Sequence, residues 1–261
     1  MKPKVVILCG GMGTRLREET EYRPKPLVEI GGKPILWHIM KTYAHYGFNR
    51  FVLCLGFKGS MIKDYFLNYR RMNSDLTLQL NRPEQIEFHG RDLHDDWSVT
   101  LAETGLEAST GARVKRIERY ITEDDFMVTY GDGVADLDIG KLWDFHRQHG
   151  KIGTVTGVRP ISRFGEMAAE DGRVVEFREK PKARDEFVSG GFFVFQKHFF
   201  EYLCPENDCV LERRPLEKLV KEGELMTFMH SGFWQCMDTY RDFLFLNELW
   251  KKGPPWKVWD Q

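Results

Sequence analysis

The chain has 261 residues, 42% of them apolar and 30% charged, which is ordinary for a globular protein long enough to bury a substantial core. Its 38 basic and 39 acidic side chains leave a formal charge of −1. That balance excludes a global field recruiting nucleic acid or an anionic membrane, so basic groups that meet a phosphate must act locally.

Residues 4–9 form a short apolar run closed by Gly10-Gly11, which reads as a buried strand. Ile35, Leu36, Ile39, Met40 and Tyr43 predict a helix over 34–46, with Pro34 suited to its first turn and Gly47 to its C-cap. Residues 51–55 read as a second buried strand, closed by Gly56. Helical spacing returns over 61–69, and 76–80 alternates as a half-exposed strand does. Val114, Ile117 and Ile121 mark a helix, and 126–130 is another buried strand. A helix capped by Asp138 follows, and 153–158 reads as a strand. Residues 173–177, after Asp171-Gly172, read as one arm of a hairpin. The apolar run 187–195 contains Gly190-Gly191, a sign of close backbone approach to a ligand. Residues 212–221 and 239–251 read as helices.

Repeated strand–helix–strand units imply an α/β fold. Its Rossmann-like, mostly parallel central sheet carries helices on both faces, beside a smaller β-rich portion. No low-complexity linker or repeat divides the chain. It reads as one domain over 1–261, with a first portion of about 1–140 and a second of about 141–261 that ends in a helix. No stretch approaches the ~20 apolar residues of a membrane span. The first apolar run is too short for a secretory signal. Five cysteines without a C-x-x-C pair fit reduced thiols in a cytoplasm. Cys9, inside the first strand, reads as a small core residue. His38 lies among apolar helix residues and reads as packed. Tryptophans 97, 234, 250, 256 and 259 can stack on bases, but packing is their commoner use.

Gly10-Gly11-Met12-Gly13-Thr14-Arg15-Leu16 follows the first strand directly. Glycines let the backbone turn sharply, and successive N–H groups can form an anion nest at a strand's C-terminal end. A purely structural turn has an even claim on these residues. Two phosphate loops are excluded. No Gly-Lys-Ser or Gly-Lys-Thr is near, and a dinucleotide fingerprint read from Gly11 needs glycine where Leu16 stands. Arg15 offers a planar fork to phosphate oxygens, and Lys25 a point charge.

With Arg23-Pro24-Lys25-Pro26-Leu27-Val28-Glu29-Ile30-Gly31-Gly32-Lys33-Pro34-Ile35, this loop resembles the N-terminal signature of the sugar-1-phosphate nucleotidyltransferases. The similarity runs through Tyr130-Gly131-Asp132-Gly133-Val134-Ala135-Asp136, Gly190-Gly191-Phe192 and Phe233-Trp234-Gln235 to Met237-Asp238-Thr239. It is greatest for the branch that joins CTP to glucose 1-phosphate, whose product feeds deoxysugar and surface polysaccharide synthesis.

The resemblance implies that 1–140 binds nucleotide and 141–261 the sugar. Leu8, Cys9, Gly10, Gly11, Met12, Gly13, Thr14, Arg15, Lys25, Arg113 and Gly131 then surround the nucleotide. Arg15, Lys25 and Lys180 are catalytic. Glu179, Lys180, Gly190 and Gly191 frame the sugar, and Asp132 and Asp238 hold Mg²⁺. It also implies a homo-oligomer. From the residues alone, turns and helix caps are the commoner use of aspartates placed like Asp132 and Asp238, and Arg113 also suits a solvent-facing first-turn charge. Glu179-Lys180 equally suits a charged hairpin edge. The chain departs from the family at Glu166, where a small or apolar residue is expected, and at Cys9 and Cys236, in place of alanine and proline. The rivals are the same chemistry with UTP, dTTP or mannose 1-phosphate, and a non-catalytic nucleotide-sugar sensor.

Overall fold

The computed structural model describes residues 2–82, 84–89, 95–160, 166–178 and 187–259. Its centre is a seven-stranded sheet. The strands are β1 (Val5–Leu8), β2 (Arg50–Leu55), β3 (Ser98–Glu103), β4 (Asp125–Tyr130), β5 (Gly153–Val158), β6 (Val188–Gln196) and β7 (Leu225–His230). They lie in the order β7-β5-β6-β4-β1-β2-β3. Only β6 runs against the rest, antiparallel to both β4 and β5. The other pairings are parallel, as expected from the strand–helix alternation.

The strands are apolar on both faces because both faces are covered. Val5 and Ile7, Phe51 and Leu53, Met127, Phe192 and Val194 point into one core. There they meet Ile35, Ile39 and Tyr43 of α1 (Ile35–His45) and Leu246 near the C-terminus. The alternate residues Val6, Val52, Phe126, Val128, Phe193 and Phe195 point into a second core with Ala112, Val114 and Leu219. Period-two strands between two helix layers thus build the expected sandwich.

Several boundaries move. The helix marked by Val114, Ile117 and Ile121 is α2 (Thr110–Arg116), and Ile121 is already extended. The helix over 61–69 is Gly59–Leu67, with a separate turn of helix at Tyr69–Asn73. The segment 212–221 becomes helical only as α3 (Arg214–Lys221), because Pro215 sits in its first turn and leaves Glu212 in the preceding turn. Strands β3 and β7 were not anticipated, since neither forms a continuous apolar run. The hairpin arm at Asp171-Gly172 is present, pairing Glu166–Glu170 with Arg173–Arg178 through two positive-φ turn residues.

Asp138 caps α4 (Ile139–His149) by accepting from the Lys141 amide at 2.9 Å, as expected. Asp136 instead pairs with His230 at 2.9 Å. His38 is fully buried against Trp250 and Trp256, with Nε2 at 2.9 Å from the Ile30 carbonyl. Burial depresses its pKa to about 4. Trp256 and Trp259 are core residues. Among the described residues no helix is long and apolar enough to cross a membrane.

The register defines one functional edge. Leu8 ends β1 beside Tyr130, the end of β4, and beside Cys54 near the end of β2. Since β6 runs the other way and pairs Phe192 with Thr129, its early residues Gly190 and Gly191 arrive at the same edge.

Candidate active site

The loop after β1 is held from behind. The Cys9 amide donates to the Cys54 carbonyl at 3.0 Å, and the Leu16 amide to the Gly13 carbonyl at 3.0 Å. Leu16 is fully buried and anchors the loop's far end. Gly13 takes φ +64°, where a Cβ would strike Thr20. At Gly11 an added Cβ meets nothing, so the backbone there faces open space. The space is a cavity of about 320 Å³. Of the predicted nucleotide-binding residues, all but Met12 line it. Met12 is about half exposed. Ala108, Ser109 and Thr110, at the start of α2, also line it and escaped the sequence reading because small residues carry no distinctive signal.

Arg113 reaches this cavity from α2, and it is not a solvent-facing charge: it is 4% exposed. Its NH1 donates to the carbonyls of Leu55 (3.0 Å) and Gly105 (2.7 Å) and to Thr104 Oγ1 (2.8 Å). Its NH2 donates to the carbonyls of Gly10 (3.0 Å) and Leu106 (3.2 Å). A Cβ on Gly10 would lie 2.1 Å from the guanidinium, so glycine there lets the loop rest on Arg113. The guanidinium thus clamps the loops after β1, β2 and β3 together.

The charged centre lies beside this loop. Lys25 Nζ is 2.7 Å from Asp132 Oδ2 and 2.7 Å from Asp238 Oδ1. Arg15 NH2 is 2.9 Å from the same Asp238 oxygen. Four residues spread over 224 positions of sequence therefore meet within hydrogen-bond reach. Asp132 is placed by Gly131, whose amide donates to the Leu8 carbonyl and where a Cβ would fall 2.9 Å from that oxygen. Asp238 is placed by a short antiparallel ribbon pairing Trp234–Cys236 with Gly133–Ala135. The Met237 amide then donates to the Asp132 carbonyl at 2.8 Å. Beyond it, Thr239 and Asp242 form a capping box on α5 (Tyr240–Lys252).

Burial alone would lower the Lys25 pKa, but the carboxylates of Asp132 and Asp238 outweigh it and hold the ammonium above its usual value. Burial pushes Asp238 up, yet the Lys25 hydrogen bond, the Lys25 charge and Arg15 bring it below its usual value. Both stay ionised at neutral pH. Two carboxylates within reach of one ammonium are an oxygen donor set that suits a hard divalent cation. No cluster of three or more His, Cys, Asp or Glu side chains able to hold a metal occurs among the described residues. A divalent cation held by these two carboxylates would complete its shell with water and substrate oxygens.

A second cavity of about 240 Å³ adjoins the first and shares Arg15, Tyr130 and Asp132 with it. Gly190, Gly191 and Trp234 line it. Trp234 Nε1 donates to the Gly190 carbonyl at 2.8 Å. Gly191 has φ +78°, and a Cβ there would lie 2.3 Å from the Tyr130 ring. A Cβ on Gly190 would likewise lie 2.6 Å from Val158, so both glycines are packed closely against their neighbours at this cavity. Cys236 lies at the floor, with Sγ 3.5 Å from Asp238 Oδ2. Burial, then the charges of Asp238 and Asp132, push its pKa up to about 12. Burial likewise raises that of Cys9. Neither thiol is a nucleophile at neutral pH. Glu179 and Lys180 lie outside the described residues.

Comparison with known proteins bears on this arrangement. The family model described as nucleotidyl transferase matches residues 4–251. A glucose-1-phosphate cytidylyltransferase of Salmonella typhi is 49% identical over 260 residues, covering 98% of this chain and 100% of its own. A probable glucose-1-phosphate cytidylyltransferase of Bacillus subtilis is 44% identical over 257 residues, with the same coverage. In fold, the chain resembles the crystal structure of HddC from Yersinia pseudotuberculosis, with a TM-score of 0.68 and 23% identity over 95% of this chain and 100% of that one.

Proposed function

Since this chain belongs to the nucleotidyl transferase family, we propose that it transfers the cytidylyl group of CTP to α-D-glucose 1-phosphate, giving CDP-glucose and pyrophosphate. One observation carries the reading. Lys25, Arg15, Asp132 and Asp238 meet where two cavities adjoin, one floored by the glycine loop and one by Gly190-Gly191. That arrangement suits a reaction in which a nucleotide and a second phosphate compound face each other across a charged centre. The names of the full-length relatives supply CTP and glucose 1-phosphate.

The nucleophile is a phosphate oxygen of glucose 1-phosphate, which is anionic near neutral pH and needs no general base. It attacks the α-phosphorus of CTP in line. The bond to the pyrophosphate oxygen breaks as the new P–O bond forms, with no covalent enzyme intermediate. The obstacle is repulsion between two polyanions. Arg15, with a largely exposed side chain, reaches phosphate oxygens from the rim, and Lys25 from the floor. The backbone N–H groups of the glycine loop hold the nucleotide phosphates. Arg113 keeps that loop in place through its carbonyls. We assign Lys180 to the sugar phosphate and Glu179 to the sugar hydroxyls. Mg²⁺ held by Asp132 and Asp238 supplies charge neutralisation on the transferring phosphate when bound. The five free cysteines accord with a cytoplasmic location, and we read the chain as a single catalytic unit that assembles as a homo-oligomer.

The test is pyrophosphate release from five nucleoside triphosphates, each with glucose 1-phosphate and mannose 1-phosphate. CTP with glucose 1-phosphate is expected to turn over fastest. A preference for UTP or dTTP overturns the cytidylyl assignment. Binding of CDP-glucose without pyrophosphate release in the presence of Mg²⁺ identifies a sensor.

A further inference from the structure

Tyr130 lines both cavities and forms the wall between them. Its ring rests on the Gly191 backbone and meets Phe193 edge-on at 6.2 Å. Its hydroxyl donates to Glu212 Oε1, 82 residues away in the chain. The other carboxylate oxygen, Oε2, accepts from Thr110 Oγ1 at 2.7 Å. Thr110 Oγ1 in turn accepts from the Leu211 amide at 3.0 Å, which fixes its hydroxyl as a donor toward Glu212. Thr110 opens α2 and lines the nucleotide cavity. A single carboxylate therefore ties a side chain of the partition to a side chain of the nucleotide wall. Glu212 itself is not among the residues lining either cavity.

Resting on the reaction proposed above, we propose that Glu212 is a positioning residue, which sets the register of the two substrates by holding Tyr130 and Thr110 together. Both partners are hydroxyl donors, so the tie needs an acceptor with two oxygens. A carboxylate is that group, and its bonds to hydroxyls are charge-assisted. Glutamine keeps the shape but has one acceptor and no charge. Alanine removes the tie, freeing Tyr130 where it lines both cavities and Thr110 where it lines the nucleotide cavity. The effects of Glu212 and its partners then overlap instead of adding, as for any residues in one hydrogen-bonded unit.

The experiment is steady-state kinetics of E212A, E212Q, Y130F and T110V, with the double variants E212A/Y130F and E212A/T110V. Y130F is expected to raise both KM values about fivefold, and T110V that for the nucleotide about fivefold while leaving that for the sugar phosphate within about twofold. E212A raises both, E212Q raises both less, and neither double variant exceeds E212A by more than about twofold. Unchanged KM values in E212A, or effects that multiply in the doubles, overturn the proposal. A merely structural role lowers the melting temperature and apparent kcat while leaving both KM values in place. If E212A does not fold, E212Q with its doubles carries the same comparison. The wild-type substrate screen is run first. If another nucleotide or sugar phosphate turns over, the substrate assignment fails, and the variants are then measured with that pair.

Discussion

Replacing Lys25 with methionine removes the ammonium that holds Asp132 and Asp238 together while keeping most of the side chain's volume. Both carboxylates lie 2.7 Å from that one nitrogen, so the bonded oxygens are separated by no more than twice that distance. At an effective dielectric near 20, two like charges that close repel by about 3 kcal/mol. Arg15 stays on Asp238, and Asp132 is partly exposed, so about 1–3 kcal/mol of lost stability is expected. Urea unfolding with and without Mg²⁺ measures it. In K25M, Mg²⁺ replaces the missing positive charge and is expected to restore most of the loss, a larger gain than in the wild type. Losing a donor to the phosphates lowers kcat by roughly 10²–10³. Wild-type stability of K25M in metal-free buffer, or activity within tenfold of wild type, would show that Lys25 neither neutralises the two carboxylates nor serves the phosphates.

Other outcomes follow from the same geometry. Asp132→Asn or Asp238→Asn removes half of the proposed donor set. Each is expected to weaken Mn²⁺ binding at least about tenfold in a paramagnetic-resonance titration and to cut turnover by ~10³. Gly191→Ala forces φ +78° on a residue with a Cβ and drives that atom into Tyr130. A loss of about 1–3 kcal/mol is expected, with KM for the sugar phosphate rising more than that for the nucleotide, which steady-state kinetics separates. Arg113→Ala removes one donor each from the carbonyls of Leu55, Gly105 and Gly10 and empties the buried space between their loops, while Gly10 keeps the Phe57 amide and Leu55 the Thr104 amide, so about 1–3 kcal/mol of destabilisation is expected from denaturant melts. His38 has a folded pKa of about 4 against an unfolded value of 6.5. The unfolded chain therefore takes up a proton that the fold refuses, and the stability due to neutral His38 is complete above pH 6.5 and lost as pH falls toward 4. The loss reaches about 3 kcal/mol. His149, also depressed by burial, acts in the same direction. Unfolding free energies measured between pH 8 and 4.5 give the slope.

Much of the candidate site was legible because close backbone approach restricts residue choice. Gly10, Gly13, Gly131 and Gly191 each sit where a Cβ would collide with a neighbour, and all stood out in the sequence. Asp132 and Asp238 could be paired only through family resemblance, since nothing local shows that a ribbon through Trp234–Cys236 carries one to the other. Arg113 was placed at the nucleotide, but a sequence cannot tell a guanidinium that meets phosphate from one saturated by backbone carbonyls. Glu212 was hidden inside a helical pattern that starts two residues later than expected. The central strands were clear because they are apolar on both faces. β3 was missed because it is polar at both ends.

In the proposed reaction the two cavities are the two halves of one nucleotide-sugar site joined at Lys25. A crystal structure with CDP-glucose and Mg²⁺ is the decisive measurement. It is predicted to show cytidine in the cavity lined by Gly11 and Thr110, and glucose beside Gly190 and Trp234. The diphosphate is predicted to cross Arg15 and Lys25, with the metal on Asp132 and Asp238. A nucleotide sugar bound with its diphosphate away from Lys25, or a hexose outside the Gly190-Gly191 cavity, rules out a single site joined at Lys25.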